Sequence, residues 1–472
     1  MKVSRFQFTL GIALAFAALA FSLAVDAQAQ TVNVLVDFNL TNGGGASSVV
    51  QGTDGNFYGT TNIGGKHDGT LFRVTPDGTL TTVYSFCSQA KCVDGASPFQ
   101  SPILGNDGNL YGVVLSGGSD TAYPTGSGII YKMTPGNYSV LYTFCETMPC
   151  LDGAAPTGIV QAADGNFYGT AAIGGAFNEG TFFKLTPAGK LTVLYSFCSL
   201  ANCVDGSGPS SAPIQARDGN FYGTAGGGSN GHGVVYQITS TGSYQVIYNF
   251  CSISSCTDGS QPNGLVQDAS GNLYGTTTEG GFGYGAIFKI NSGNHYFVLH
   301  HFDETDASPF AGLIFANDGN LYGVSEGDLS GGAVFDITAA GVYTEFYVFS
   351  DCDLQGCYPV GPPFQGTNGI FYGTTGNGGS GGYGTVFSFS NGLSPLVQTV
   401  PVVGKVGSSV LILGNNLTGS SSVTFNGVEA KFTVESDTYI KATVPAGATT
   451  GTVSVVTPTG TLNSNPRFVV TK

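Results

Sequence analysis

Short apolar runs alternate with glycine-centred turns over most of the chain, and the alternation recurs about every 50 residues. The most constant stretch is Asp164-Gly165-Asn166-Phe167-Tyr168-Gly169-Thr170. Its tyrosine returns as Tyr58, Tyr111, Tyr168, Tyr222, Tyr274, Tyr322 and Tyr372. Three further runs keep step with it: one before the Asp-Gly turn (Gly158 to Gln161), one from glycine to an aromatic (Gly180 to Phe183) and one ending in phenylalanine (Leu194 to Phe197). Each repeat therefore predicts four short strands, A to D in chain order. Strand B is apolar on both faces, as in Phe167 beside Tyr168, so its sheet should be covered on both sides.

The turns decide the topology. Asp-Gly between A and B suits a tight hairpin because glycine accepts a positive φ, and Thr186-Pro187-Ala188-Gly189 between C and D is a Pro-then-Gly turn. Four-stranded antiparallel meanders at this period predict an all-β fold, a seven-bladed β-propeller. The chain enters on a lone D strand, Val32 to Phe38, and leaves after a C strand, Gly384 to Phe389. The first strand should therefore complete the last sheet and leave no open edge. The A–B and C–D turns fall on one face and are uniform. The D–A and B–C loops fall on the other and vary, which marks that face for recognition.

Past Gly392 the aromatic period stops and Val, Thr and Ser take over in alternating strands such as Val410 to Gly414 and Gly451 to Val456. At the other end, Lys2 and Arg5, an apolar stretch from Leu10 to Val25 and Ala27-Gln28-Ala29 read as a secretory signal. The expected organisation is a signal peptide over 1–29, the repeat domain over 30–392 and a small sandwich over 393–472. The formal charge of −15, with 15 basic against 30 acidic residues, argues against nucleic acid as a partner. No later run is apolar enough to span a bilayer. The mature protein is expected to be exported, extracellular or surface-associated, or periplasmic, without a transmembrane segment once the signal is cleaved.

The repeated Asp-Gly-Asn-Phe-Tyr-Gly-Thr, Gly-Thr-x-Phe and Leu-Tyr-Ser-Phe signatures resemble the GloVer-type tandem repeat family of exported bacterial proteins, from Thr31 to about Leu393. More loosely, Asp-Gly-Asn before an aromatic resembles the repeats of two-component regulator propellers, which carry Trp where this chain has Tyr. Gly404 to Gly414, Val423 to Gly427, Val444-Pro445-Ala446-Gly447, Thr457-Pro458-Thr459-Gly460 and Phe468 are similar to an IPT/TIG domain, an immunoglobulin-like sandwich. These resemblances imply fold and location, and they supply no active site.

Ten cysteines form five pairs of one spacing, Cys87/Cys92, Cys145/Cys150, Cys198/Cys203, Cys251/Cys256 and Cys352/Cys357, each in a D–A loop. Even count, regular spacing and an export signal predict five disulfides and no metal knuckle. A recurring aspartate follows: Asp94, Asp152, Asp205, Asp258 and Asp306. It either caps its own turn or joins a ring of carboxylates at the channel mouth. Chemistry needs unlike groups at one place, so departures from the repeat are the other candidates: Asp68, Tyr123, Glu179, His232 and Tyr284, in or beside B–C loops. No phosphate loop, nucleophile elbow, zinc motif or cofactor signature is present. The reading is a non-catalytic protein that binds an extracellular glycan or surface protein through the variable loops, with the C-terminal domain as spacer or second contact. The alternatives are a polysaccharide-active lyase or hydrolase, which needs a pair of mouth carboxylates, and a purely structural envelope component.

Overall fold

In a computed structural model of the protein, residues 31–118, 126–304, 306, 308–327 and 331–471 are described. The signal expected over 1–29 and the candidate Tyr123 lie outside the described residues. The fold is all-β. Each copy of the tyrosine motif builds its own antiparallel sheet of four or five strands. In the third repeat the strands run Ala154–Gln161, Phe167–Ile173, Thr181–Leu185 and Leu191–Ser196. The first strand of the chain, Asn33–Asp37, pairs with Thr385–Phe389 and completes the last sheet, as its position in the sequence predicts.

The motif is conserved along the chain because three of its residues tie one turn together. Asp164 accepts hydrogen bonds from the Asn166 amide (3.0 Å), the Asn166 side chain (2.8 Å) and the Tyr168 hydroxyl (3.0 Å). Gly169 is required by close approach: a Cβ there would lie 2.7 Å from the ring of Phe183 on strand C. Phe167 and Tyr168 are both buried, so the sheet is covered on each face.

Neighbouring sheets meet through these rings. Tyr168 stacks on Phe221 of the next repeat at 4.1 Å between centroids, and Tyr372 of the last repeat stacks on Phe57 of the first at 3.8 Å. Such a pair adds about 0.5–1.5 kcal/mol to the burial of its rings. A second tie runs along the inner strands. Turn amides of one repeat donate to a strand-A glutamine of the next: Asn106 to Gln161 (2.8 Å), Ala163 to Gln215 (2.9 Å), Arg217 to Gln267 (2.9 Å) and Asn317 to Gln365 (3.0 Å). Thr367 of the last repeat donates to Gln51 of the first at 3.0 Å. The last sheet thus contacts the first through the same two ties that join the third sheet to the fourth.

Residues beyond 395 form a sandwich. One sheet orders Gln398–Val400, Ser409–Leu413, Tyr439–Thr443 and Lys431–Val434. The facing sheet orders Val428–Glu429, Ser422–Phe425, Val453–Thr457 and Gly460–Asn463. Val410, Ile412 and Ile440 from one sheet pack against Phe425, Val455 and Phe468. The sandwich sits directly on the short-turn face of the repeat domain. The Thr438 hydroxyl donates to the Thr53 carbonyl (2.6 Å), Gln398 to that of Gln365 (2.6 Å) and Asn465 to that of Phe315 (3.0 Å). The Asn415 side chain donates to the Thr367 hydroxyl (2.7 Å), and Leu413 joins the buried cluster of Leu104 and Leu110. A spacer role does not account for this packing: the domain is a cap. Among the described residues no helix is long and apolar enough to cross a membrane.

Candidate functional site: the loop face

With the sandwich on the short-turn face, the D–A and B–C loops make the uncovered end. Their backbone is set by the cysteine loops. Disulfides join Cys87–Cys92, Cys145–Cys150, Cys198–Cys203 and Cys251–Cys256. The expected fifth is not formed: Cys352 and Cys357 are thiols. The difference has a local cause. In the first loop Cys87, Lys91 and Cys92 are left-handed, and Asp94 anchors the turn from two residues past the second cysteine. In the last loop Tyr358 and Pro359 replace that anchor, and Asp351 caps a short helix, Cys352–Gln355, through the Leu354 amide (3.2 Å). Cys357 then enters a strand, and burial pushes its thiol up to about 12.

The recurring aspartates each serve their own loop. Asp94 is fully buried and accepts from the Tyr84 hydroxyl (2.6 Å), the Ser88 amide (2.8 Å), the Ser88 hydroxyl (2.7 Å) and the Gln89 amide (3.1 Å). Asp205 and Asp258 repeat the pattern with Tyr195 and Tyr248, Asp152 bonds Tyr142 and the Cys145 amide, and Asp306 bonds His300 at 2.6 Å. Because these partners stand on the outermost strand D, the carboxylates lie toward the outer edge and not around the axis. Burial raises the Asp94 carboxyl, but its phenol, hydroxyl and amide donors outweigh that and hold it below the ordinary range. Tyr84 is pushed up to about 12 by burial and by its bond to Asp94.

Four of the departures from the repeat turn out to share one position. Asp68, Glu179, His232 and Tyr284 each precede the glycine that opens strand C, together with Ser127, Gly331 and Tyr383. Their backbones tie the loop face together. The carbonyls of Asp68, Ser127, Glu179, His232, Gly331 and Tyr383 accept from Ser97, Ala155, Gly208, Gln261, Tyr358 and Gly45 of the following repeat at 2.6–3.0 Å. Every one of those donors has a left-handed φ, the backbone twist that turns its amide across the seam. Among the described residues the Tyr284 carbonyl takes no such bond. The side chains at this position are therefore the freely varying part of a fixed frame. Asp68 is exposed and lines a depression of about 400 Å³ with Leu40, Ile63 and His67. The His232 ring is 3.0 Å from the Ser260 hydroxyl.

The aromatic surface of this face differs from the expected one. Tyr284 is half-buried against the core of the fifth and sixth repeats. The exposed ring of that loop is Phe282, 69% accessible and packed on the His301 ring at 4.5 Å. Phe99 (52%), Phe310 (58%) and Phe177 (50%) are exposed as well. Phe99 and Phe310 are equivalent: each precedes a residue, Gln100 or Ala311, whose carbonyl accepts from a strand-B threonine of the preceding repeat, Thr60 or Thr276. They therefore stand at the same place in two different repeats, just before the innermost strand. Sequence reasoning missed them because each follows the Ser-Pro step into strand A, where an apolar residue reads as core. The one available signal was that Ser210 holds the same place in the fourth repeat, whose Ser211 carbonyl accepts from Thr170.

The chain belongs to the Gloeobacter/Verrucomicrobia repeat family, whose model matches residues 17–228 and 209–429. The IPT/TIG domain model matches residues 395–470. No curated protein matches. Among solved structures the chain is similar to the extracellular domain of a protein described as a hybrid two component system from B. thetaiotaomicron. Identity is 11%, over 92% of this chain and 58% of that one, at a TM-score of 0.49. It is also similar to PorZ, a bacterial surface component of the type-IX secretion system of Porphyromonas gingivalis, with 13% identity over 89% and 58% of the two chains and a TM-score of 0.43. A regucalcin from Agrobacterium tumefaciens gives 11% identity, 78% and 97% coverage and a TM-score of 0.38. The chain spans 58% of the length of the first two. Likenesses at these scores carry no functional argument.

Proposed function

We propose that residues 30–392 close as a seven-bladed β-propeller, capped on its short-turn face by an immunoglobulin-like domain over 393–472. We propose further that the molecule is an exported, non-catalytic binding protein. Its loop face recognises an extracellular glycan or a surface protein. The observation that carries this reading is the pairing of exposed rings with occupied carboxylates. Phe99, Phe310, Phe177 and Phe282 stand in solvent on a rigid loop face, while the recurrent aspartates are taken up by their own turns. Rings of this kind stack on the apolar faces of sugars and on apolar protein surface. The variable position held by Asp68, Glu179 and His232 supplies the polar groups that discriminate among ligands. The leader-like sequence at 1–29 supports export.

The test is retention of the mature protein on immobilised polysaccharides and on intact bacterial cells. The triple substitution Phe99→Ala, Phe282→Ala and Phe310→Ala should leave the melting temperature within about two degrees of the parent, because exposed side chains contribute little to folding. Retention should fall at least roughly tenfold, the loss expected for removing aromatic anchors from an interface. Undiminished retention of a folded triple variant overturns the loop-face reading.

A further inference from the structure

The opposite end of the repeat domain holds a second feature, enclosed where the inner strands meet the cap. A cavity of about 460 Å³ lies on the axis, within the roughly 300–1,000 Å³ range of small-molecule sites. Leu104, Ile214, Val266 and Phe315 of the inner strands and Val400 and Leu413 of the cap are among its walls. The glutamines that also line it are already bonded. The Gln215 side chain accepts from Ala163 (2.9 Å) and donates to the Gly219 carbonyl (3.3 Å); Gln267 accepts from Arg217 (2.9 Å) and donates to that of Gly271 (3.2 Å). Gln51 does the same with Thr367 and Gly55. Their amides are held within the turns, which leaves the interior predominantly apolar.

The rim is different. The cap's hydrogen bonds reach the first, sixth and seventh repeats, at Thr53, Phe315, Gln365 and Thr367. On the other side the lining residues Ala269, Pro466 and Arg467 are exposed, so the opening lies beside the fourth and fifth repeats. Arg217 also lines it. The chain has four arginines, Arg5, Arg73, Arg217 and Arg467, and two of them line this cavity in a protein of net charge −15. Neither guanidinium has an ion-pair partner among the described residues. Asp268, the acidic residue of the lining, is occupied by the Tyr274 hydroxyl (3.0 Å), the Asn272 side chain (2.7 Å) and the amides of Ser270 (2.7 Å) and Asn272 (2.9 Å).

An apolar interior with a cationic rim fits one class of ligand. We propose that the axial cavity binds a single-chain carboxylate amphiphile, its hydrocarbon chain inside and its carboxylate at Arg217 and Arg467. Chain burial would supply most of the affinity in proportion to the area removed from water. The arginines would supply the preference for an anionic head, since planar guanidinium donors match a carboxylate. This site is separate from the loop face and does not depend on that face's ligand.

Isothermal titration of the leader-free full chain with decanoate and with 1-decanol tests it. The expected result is saturable binding of one decanoate per chain, with 1-decanol bound more weakly. Arg217→Gln combined with Arg467→Gln should weaken decanoate roughly tenfold, the effect of about 1.4 kcal/mol, and leave 1-decanol unchanged. Val266→Phe, which fills the interior, should remove both ligands. Phe99→Ala with Phe310→Ala should change neither, which keeps the outcome distinct from that for the loop face. Absence of saturable binding overturns the proposal, as does equal binding of acid and alcohol, or decanoate affinity unmoved by the double arginine substitution. If Val266→Phe fails to fold by circular dichroism, the arginine variant, whose substitutions lie on the rim, decides alone.

Discussion

Asp94 and Asp68 show how differently one residue type can serve in one loop region. Asp94 is sealed beneath its loop with donors on both oxygens, and Asp68 stands in solvent with only its carbonyl committed to the frame. Asp94→Ala would leave two backbone amides and a phenol without their acceptor, so it should cost about 2–3 kcal/mol in urea unfolding. Asp68→Ala should stay within about 0.5 kcal/mol, as surface changes do. The same carboxylates set the acid limb. Asp94 and Asp205 lie below the ordinary value, and the donors around Asp107 outweigh its burial and bring it to about 2. The unfolded chain therefore binds more protons than the native one once the pH drops toward about 4. Their contribution is complete above that point and is lost as pH falls through the folded values. Melting temperature should hold steady from pH 8 to pH 5 and drop steeply below pH 4. Asp94→Asn with Asp205→Asn should flatten that drop.

Between elements, one seam is built differently from the others. Where the fifth repeat meets the sixth, the cysteine pair is replaced by Phe302, Asp303, Glu304 and Thr305, and Phe315 stands in place of the glutamine. On the outer rim, Tyr138 stacks on Tyr84 and donates to the Asp94 carbonyl at 2.7 Å. Tyr343 stacks as closely on His300, but its buried hydroxyl has no partner among the described residues. The seam is held by apolar packing, the His300–Asp306 bond, the bond from Thr276 to the Ala311 carbonyl (2.8 Å) and the bond from the Asn263 side chain to the Pro309 carbonyl (3.1 Å). Local opening follows the density of such ties. Amides of residues 308–315 should exchange at least roughly tenfold faster than those of residues 208–215, the matching segment of the fourth repeat. Equal protection by hydrogen exchange with mass spectrometry would show that packing alone holds the seam.

At the scale of the molecule, the cap and the ring of repeats are joined through apolar and polar contacts together. Leu413, Val400 and Tyr439 extend a core cluster that begins with Leu71 and Leu104 in the repeats. Removing residues 393–472 would expose that cluster and the inner-strand ends at the cavity. The truncated chain should melt lower and self-associate, by calorimetry and light scattering, as enlarged apolar patches do. A truncated chain as stable and monodisperse as the parent would argue for loosely tethered domains.

The residues by themselves determined the strands, their antiparallel order, the partner of the lone first strand and the sandwich that follows the repeats. These are local consequences of alternation and turn chemistry, repeated so often that one motif reads the same way at every copy. They also marked four members of the variable position before strand C, which a substitution inside a regular repeat reveals. Three matters were decided only in three dimensions. The aspartates turned outward because the phenols that bind them stand on the outermost strand, and no spacing states which strand is outermost. Cys352 and Cys357 remained thiols in a loop that lost its aspartate anchor, so equal spacing did not mean equal backbone. The C-terminal domain became a cap, with a cavity beneath it, because contacts such as Asn465 to Phe315 and Thr438 to Thr53 join residues 150 and 385 positions apart in the chain. No local pattern encodes a pairing at that distance. It follows from which surfaces the finished sheets leave to be covered.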